Sequence, residues 1–315
     1  HVGNNLNVSW GDSGNNGLVS VEFTFEGSSA HSAGAPWRGK SALDAVELMN
    51  VAWNFKREHL KPSHRSHYVI TDGGDQPNVV PSKASVWYFL RERTYEDIRT
   101  MYDDAQRYAH AVADMTETKV SHRLLGTAWP GHFNKAVAEA VYNNIKVVGL
   151  PAWDEKDQQL ARAVQKLVNM PRRNSGTDYP GLATKLDTLK GPVQFSWGAG
   201  SDDIADIAWN IPTVVFRYPA NIPGTPGHNW ADAIAMATPI AHKGVVAGAK
   251  VVSATLIDML TDPEIISAAW EYHKNTQTKE AKYTSFLDTD TKPAIHLNEK
   301  IMQVYRPELK KYYYN

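Results

Sequence analysis

The chain has 315 residues, 42% of them apolar and 21% charged, with a formal net charge of -1 and no cysteine. That balance offers no basic surface for a phosphate backbone, so nucleic-acid binding is not expected. The absence of thiols excludes disulfides, thiolate metal ligands and a cysteine nucleophile. No continuous apolar run approaches the roughly 18 residues of a membrane span, so no membrane is expected as a partner.

The length suits roughly two domains. The chain begins His1-Val2-Gly3-Asn4, with no initiator Met and no signal-peptide pattern, and reads like the middle of a longer sequence. Residues 1–16, rich in Asn, Gly and Ser, read as loop. From Leu18 a strand is expected: Val19, Val21, Phe23 and Phe25 alternate with Ser20, Glu22 and Thr24, which buries one face. Gly27 ends it, and a loop of small residues follows, with His31 among Ser28, Ser29, Ala30, Ser32, Ala33 and Gly34. Such neighbours leave the imidazole exposed and free to reach outward, and on residue types alone a plain surface-loop histidine is the first reading. A helix is expected from Ser41, an N-cap, through Leu43, Val46, Met49 and Trp53.

Tyr68-Val69-Ile70 reads as a short strand, and Pro77-Asn78-Val79-Val80-Pro81 as an extended segment pinned by its prolines. Ala84 to Leu90 is a further strand with Arg91 just past its end, Tyr95 to Met115 a long helix and Lys119 to Leu125 a fourth strand. The order strand, helix, strand, strand, helix, strand is that of a ferredoxin-like α+β unit, assigned to residues 17–126. An Arg fork binds a carboxylate in two places and an amide such as Asn78 completes the cradle; a surface ion pair of Arg91 with Glu92 or Asp97 is the alternative.

From 127 to 315 the pattern changes to helices alternating with short apolar strands, an α/β layer with too few strands to close a sheet alone. Helices are expected over 133–147, 154–168 and 240–260, and strands over 193–196 and 212–216, with a long polar connection over 169–192. The glycines of 198–200 suit a strand-to-helix turn better than a nucleotide cradle. His228 follows the second strand and a Pro/Gly-rich loop, at what would be the sheet's carboxyl edge, where a neutral imidazole can serve as a metal ligand. One histidine cannot hold a metal by itself.

These residues resemble a known family. Gly27, Ala30-His31-Ser32-Ala33, Pro36 and Gly39 resemble the lid-domain signature of the di-zinc aminoacylase and carboxypeptidase superfamily. Gly73-Gly74, Asn78-Val79-Val80-Pro81 and Arg91 resemble that domain's second signature, and Gly227-His228 resembles the last metal ligand of the catalytic domain. The stretches SALDAVELMNV, GSDDIADIAWNIPTV and AMATPIAHKG resemble one branch, the aminobenzoyl-glutamate utilisation hydrolases. The resemblance extends over essentially the whole chain.

It implies a partial three-layer zinc-aminopeptidase-like α/β catalytic domain plus a ferredoxin-like lid that also forms the dimer. Residues 1–16 would be the remnant of a first catalytic half, 17–126 the lid, and 127–315 the second catalytic half with a tail. It implies two divalent metals, zinc or manganese, and hydrolysis of the amide bond of N-acyl or N-aroyl amino acids such as p-aminobenzoyl-glutamate. His31 would cross to the neighbouring subunit and donate to the oxyanion, Asn78 and Arg91 would hold the free carboxylate, and His228 would bind metal. His1 would match a further ligand, or be an arbitrary first residue.

The family's His-x-Asp and Glu-Glu ligand motifs are not found ahead of residue 17. A first half is therefore expected to be missing, and the chain alone is expected to be inactive. The alternative is a non-catalytic partner subunit of a heteromeric hydrolase. A homodimer through the lid, or a hetero-oligomer with a homologous subunit, is expected, in the cytoplasm with the periplasm left open.

Overall fold

The computed structural model describes residues 2–12, 15–170, 179–194 and 200–313. His1, residues 195 and 196 of the expected strand, and the glycine turn at 198 lie outside or partly outside them. The chain divides into two compact units, His1–Thr284 and Ser285–Asn315.

The first unit opens with two short strands, β1 (Val2–Gly3) and β2 (Asn7–Gly11), where the Asn- and Gly-rich composition suggests loop. Leu6 and Val8 alternate with polar neighbours and are buried, so the period of two is present beneath the turn-forming composition. Next come β3 (Gly17–Glu26), α1 (Ala42–Arg57), β4 (Arg65–Asp72), β5 (Lys83–Glu92), α2 (Tyr95–Thr116) and β6 (Lys119–Ala128). They form an antiparallel sheet of order β4-β5-β3-β6, the ferredoxin-like arrangement.

Val19, Val21, Phe23 and Phe25 from β3 and Val86, Tyr88 and Leu90 from β5 are buried, and α1 and α2 pack on that face with Met49, Trp53, Ile98 and Met101. The Ser41 hydroxyl caps α1 by accepting from the Asp44 N–H at 3.2 Å, and Thr94 caps α2 by accepting from Asp97 at 3.1 Å. The opposite face of the sheet carries Trp87, Phe89 and Arg91, each half-buried.

The second layer holds α3 (Lys135–Val148), α4 (Glu155–Leu167), β7 (Lys190–Val193), α5 (Ile204–Ala208), β8 (Phe216–Pro219), α6 (Trp230–Ala235), α7 (Pro239–Thr261) and α8 (Pro263–Tyr272). A mixed sheet of order β1-β8-β2-β7 runs through it. Its core joins Leu6 and Val8 to Ala138, Val141 and Ile145 of α3, Tyr218 of β8 and Val251 of α7. The N-terminal residues thus supply two of its four strands.

One strand is displaced from its expected place: β8 begins at Phe216, because pairing to Asn7 and Val8 of β2 decides where the ladder forms. β7 pairs with Ser9 and Gly11 of β2, and residues 195 and 196 of the strand expected there lie outside the described residues. Helix α7 is long and apolar enough to cross a membrane by length and composition, and only 22% of its most apolar window is buried. Its apolar residues are interleaved with Gly, Ala, Lys and His, so no continuous run shows in the sequence. The unit over 285–313 contains one α-helix, α9 (Glu299–Leu309), among its described residues.

Candidate active-site residues on the lid and the second layer

The His31 loop is held against the segment carrying Asn78 by paired backbone. Ser32 N–H donates to the Asn78 carbonyl at 3.0 Å, Val80 N–H to the Ala30 carbonyl at 2.9 Å, and His31 bridges Val79. Farther down, Ser28 and Lys40 exchange backbone bonds, and Gly27 N–H donates to Ser82 at 2.8 Å. Gly27 is required here: a Cβ would stand 2.0 Å from the Lys40 carbonyl oxygen.

The imidazole of His31 is exposed, and its Nδ1 accepts from the Ala33 N–H at 3.2 Å and the Gly34 N–H at 3.0 Å. With Nδ1 committed as acceptor, the proton of the neutral ring belongs on Nε2, which faces away from the loop backbone. The loop therefore presents one N–H donor outward. Asn78 is exposed beside it.

Arg91 lies inside β5 rather than past its end, opposite Leu18 of β3 on one side and Arg65 of β4 on the other. Neither expected ion-pair partner is available to it. Glu92 accepts from the Ser63 hydroxyl at 2.5 Å and the Arg93 N–H at 2.6 Å, and Asp97 is paired with Lys61 at 2.6 Å. Arg91 Nε is buried without a hydrogen-bond partner, and the guanidinium carbon stands 5.1 Å from the centre of the Phe89 ring. Burial lowers the Arg91 pKa. The charge on Arg91, after desolvation and together with Arg57 and Arg65, holds the nearby His67 below the usual histidine range. Arg91 is thus a half-buried cation with no carboxylate partner among the described residues.

His228 stands in the second layer, nine residues beyond β8, with φ 57, in the left-handed region that a β-carbon disfavours. The loop below it is firmly anchored. Asp232 Oδ1 accepts from Asn221 Nδ2 at 2.7 Å and from the Thr225 hydroxyl at 2.6 Å, and Gln165 donates to the Pro223 carbonyl at 3.1 Å. Asn221, Ile222 and Thr225 are buried, while His228 is exposed. His228 is thus an exposed ring in a left-handed turn above a buried, hydrogen-bonded support.

Among the described residues no three His, Asp or Glu side chains gather in a way that would hold a metal ion. His228 is a single donor there, and a two-metal site is not assembled by these residues. The structure brings His31 and Asn78 together. It sets Arg91 at the other end of the lid and His228 in another layer. Arg65 opposite Arg91 and Asp232 beneath His228 were not anticipated; the first needs the β4–β5 register, and the second is hinted at only by its place four residues after His228.

Residues 13–117 match the model of the peptidase dimerisation domain. The chain is 31% identical over 273 residues to a p-aminobenzoyl-glutamate hydrolase subunit of Escherichia coli K12, covering 81% of this chain and 57% of that protein. It is also 31% identical over 93 residues to the Xaa-Arg dipeptidase of Mus musculus, covering 30% of this chain and 22% of that protein. Among solved structures, an aminobenzoyl-glutamate utilization protein from Klebsiella pneumoniae aligns with 18% identity and a TM-score of 0.44, over 66% of this chain and 44% of that one. The chain spans little more than half the length of the Escherichia coli relative. Residues 13–117 are thus a peptidase dimerisation domain of the M20 type, and the chain is, over most of its length, a homologue of the Escherichia coli p-aminobenzoyl-glutamate hydrolase subunit.

Proposed function

We propose that this chain supplies the carboxylate-binding and oxyanion-donating parts of a metal-dependent amidohydrolase acting on N-acyl or N-aroyl amino acids of the p-aminobenzoyl-glutamate kind. The observation that carries this reading is Arg91, a half-buried guanidinium that no carboxylate among the described residues neutralises. The name of the Escherichia coli relative supports the substrate class. In this reading Arg91 and Asn78 hold the free carboxylate of the amino-acid half. His31 donates through Nε2–H to the carbonyl oxygen as negative charge grows on it.

A divalent metal, zinc or manganese, would supply the activated water in the whole enzyme. His228, and His1 in the same reading, would contribute donors to a set completed outside the described residues. The steps assigned here are accordingly those of binding and of charge stabilisation. His31 and Asn78 stand far from Arg91 within one chain, so a homodimer formed through the dimerisation domain is part of the proposal, with His31 and Asn78 serving the neighbour's site.

The test is hydrolysis of p-aminobenzoyl-glutamate by the natural protein that contains this chain, read as released p-aminobenzoate. Arg91→Gln is expected to raise KM with kcat little changed, and His31→Ala to lower kcat by about 10²–10³. Unchanged KM in Arg91→Gln, or full activity in His31→Ala, would remove the assigned roles. A natural protein with no hydrolysis of its own that activates a homologous subunit would favour the non-catalytic partner reading instead.

A further inference from the structure

The open face of the lid sheet has a chemistry that the carboxylate site alone does not use. Along β5, Trp87, Phe89 and Arg91 follow one another on that face, and β4 places Val69 opposite Trp87, His67 opposite Phe89 and Arg65 opposite Arg91. Trp87 and Phe89 meet edge to face, their ring centres 5.3 Å apart. A hydrogen bond of 2.8 Å from Trp87 Nε1 to the Ser20 hydroxyl fixes the indole. Together with Val69, which is 56% exposed, these rings line a shallow, mostly apolar cleft of about 240 Å³. Directly opposed like charges cost stability in a sheet. Arg65 spends its guanidinium on the Pro62 and His64 carbonyls, at 2.9 and 2.6 Å, while Arg91 has no such outlet. The aromatic floor thus borders a cation that has no carboxylate partner among the described residues and whose guanidinium lies over the Phe89 ring.

We propose that this face is an aryl-carboxylate site, in which Trp87 and Phe89 take the ring of the ligand and the Arg91 guanidinium takes its carboxylate. The proposal rests on the reading of Arg91 as carboxylate holder and adds the residues that select an aroyl over an aliphatic acyl group. Trp87 and Phe89 are specificity residues under it. The ring gains area and edge contacts on the floor, and the carboxylate relieves the Arg65–Arg91 repulsion.

The probes are N-benzoylglutamate and N-acetylglutamate, titrated calorimetrically into the chain as it stands. N-benzoylglutamate is expected to bind roughly tenfold more tightly. Trp87→Leu is expected to bring the two probes within about twofold of each other, and Trp87→Phe to retain most of the preference. Phe89→Leu gives an independent reading should Trp87→Leu fail to give the wild-type circular dichroism spectrum. Equal binding of both probes by the wild type, or a preference untouched by both leucine variants, overturns the aromatic floor and leaves Arg91 as carboxylate holder. Binding of neither probe, as on a face closed by a second copy of the chain, overturns the carboxylate reading and the floor together.

Discussion

His31 and Arg91 stand at opposite ends of one antiparallel sheet. His31 bridges Val79 just ahead of β5, and Arg91 is the next-to-last residue of that strand. From Lys83 to Arg91 an extended strand rises about 26 Å, too far for both to touch one small substrate within one chain. Arg91 is at the end where β3 begins and β6 ends, beside the connections to the second layer, whereas the His31 loop projects from the far end. Two lids related by a two-fold axis and laid side by side bring the far end of one to the near end of the other.

Burial, and after it the Arg91 charge, lowers the His67 pKa. Arg91→Gln is expected to move the His67 pKa upward, since burial and the Arg91 charge are the two largest causes of its lowering. The measurement is the imidazole C–H chemical shift against pH. His67 binds its proton more weakly in the folded chain than at its ordinary value of 6.5, so its contribution is fully present above that value. It is lost as pH falls from there toward the folded pKa, and Arg91→Gln should lessen that loss. His122 and His273, also lowered by burial, act in the same direction. No change in the His67 titration would mean that Arg91 does not project its charge over this face.

The His31 loop depends on the absence of a side chain at position 27. Gly27→Ala places a methyl group 2.0 Å from the Lys40 carbonyl oxygen, so backbone must move at the point where the loop closes on itself. A loss of about 1–3 kcal/mol is expected in chemical denaturation. Faster amide exchange at Ser28 and Lys40 should accompany it. A variant as stable as the wild type would show that the loop does not need this close approach.

The support beneath His228 separates strain from packing. Asp232→Ala leaves the buried Asn221 amide and Thr225 hydroxyl without their shared acceptor, and about 1–3 kcal/mol of stability should be lost. His228→Gly acts in the other direction, because glycine adopts φ 57 without the β-carbon penalty. Its melting temperature should be equal to that of the wild type or higher. A large loss in His228→Gly would mean that the ring packs against the protein instead of being held out from it.

The legibility of these features in the sequence follows from the range of the interactions involved. Strand β3 and helix α1 are set by near neighbours: the alternation from Val19 to Phe25 and the Ser41 cap are visible in a short window. Strands β1 and β2 are hidden among Asn and Gly because partners more than 200 residues away stabilise them, as Asn7 and Val8 pair with Arg217 and Phe216. Thr213 and Val214 look more strand-like than Arg217, yet the ladder forms where β2 lies. His31 is visible through its small neighbours, but its tautomer depends on the N–H groups of Ala33 and Gly34. That Arg91 lacks a carboxylate partner depends on Ser63 and Lys61, which occupy Glu92 and Asp97 from positions some 30 residues earlier in the chain.

The most direct measurement mixes two impaired subunits of the natural protein, one His31→Ala and the other Arg91→Gln, after unfolding and reassembly in equal amounts, and reads hydrolysis at substrate far below the raised KM of Arg91→Gln, where both variants are slow. If His31 serves the partner's site, each mixed dimer holds one site with both residues intact, and activity should recover to about a quarter of the wild-type value. Activity no greater than the average of the two variants would show that His31 and Arg91 do not meet across a dimer, and would contradict the account.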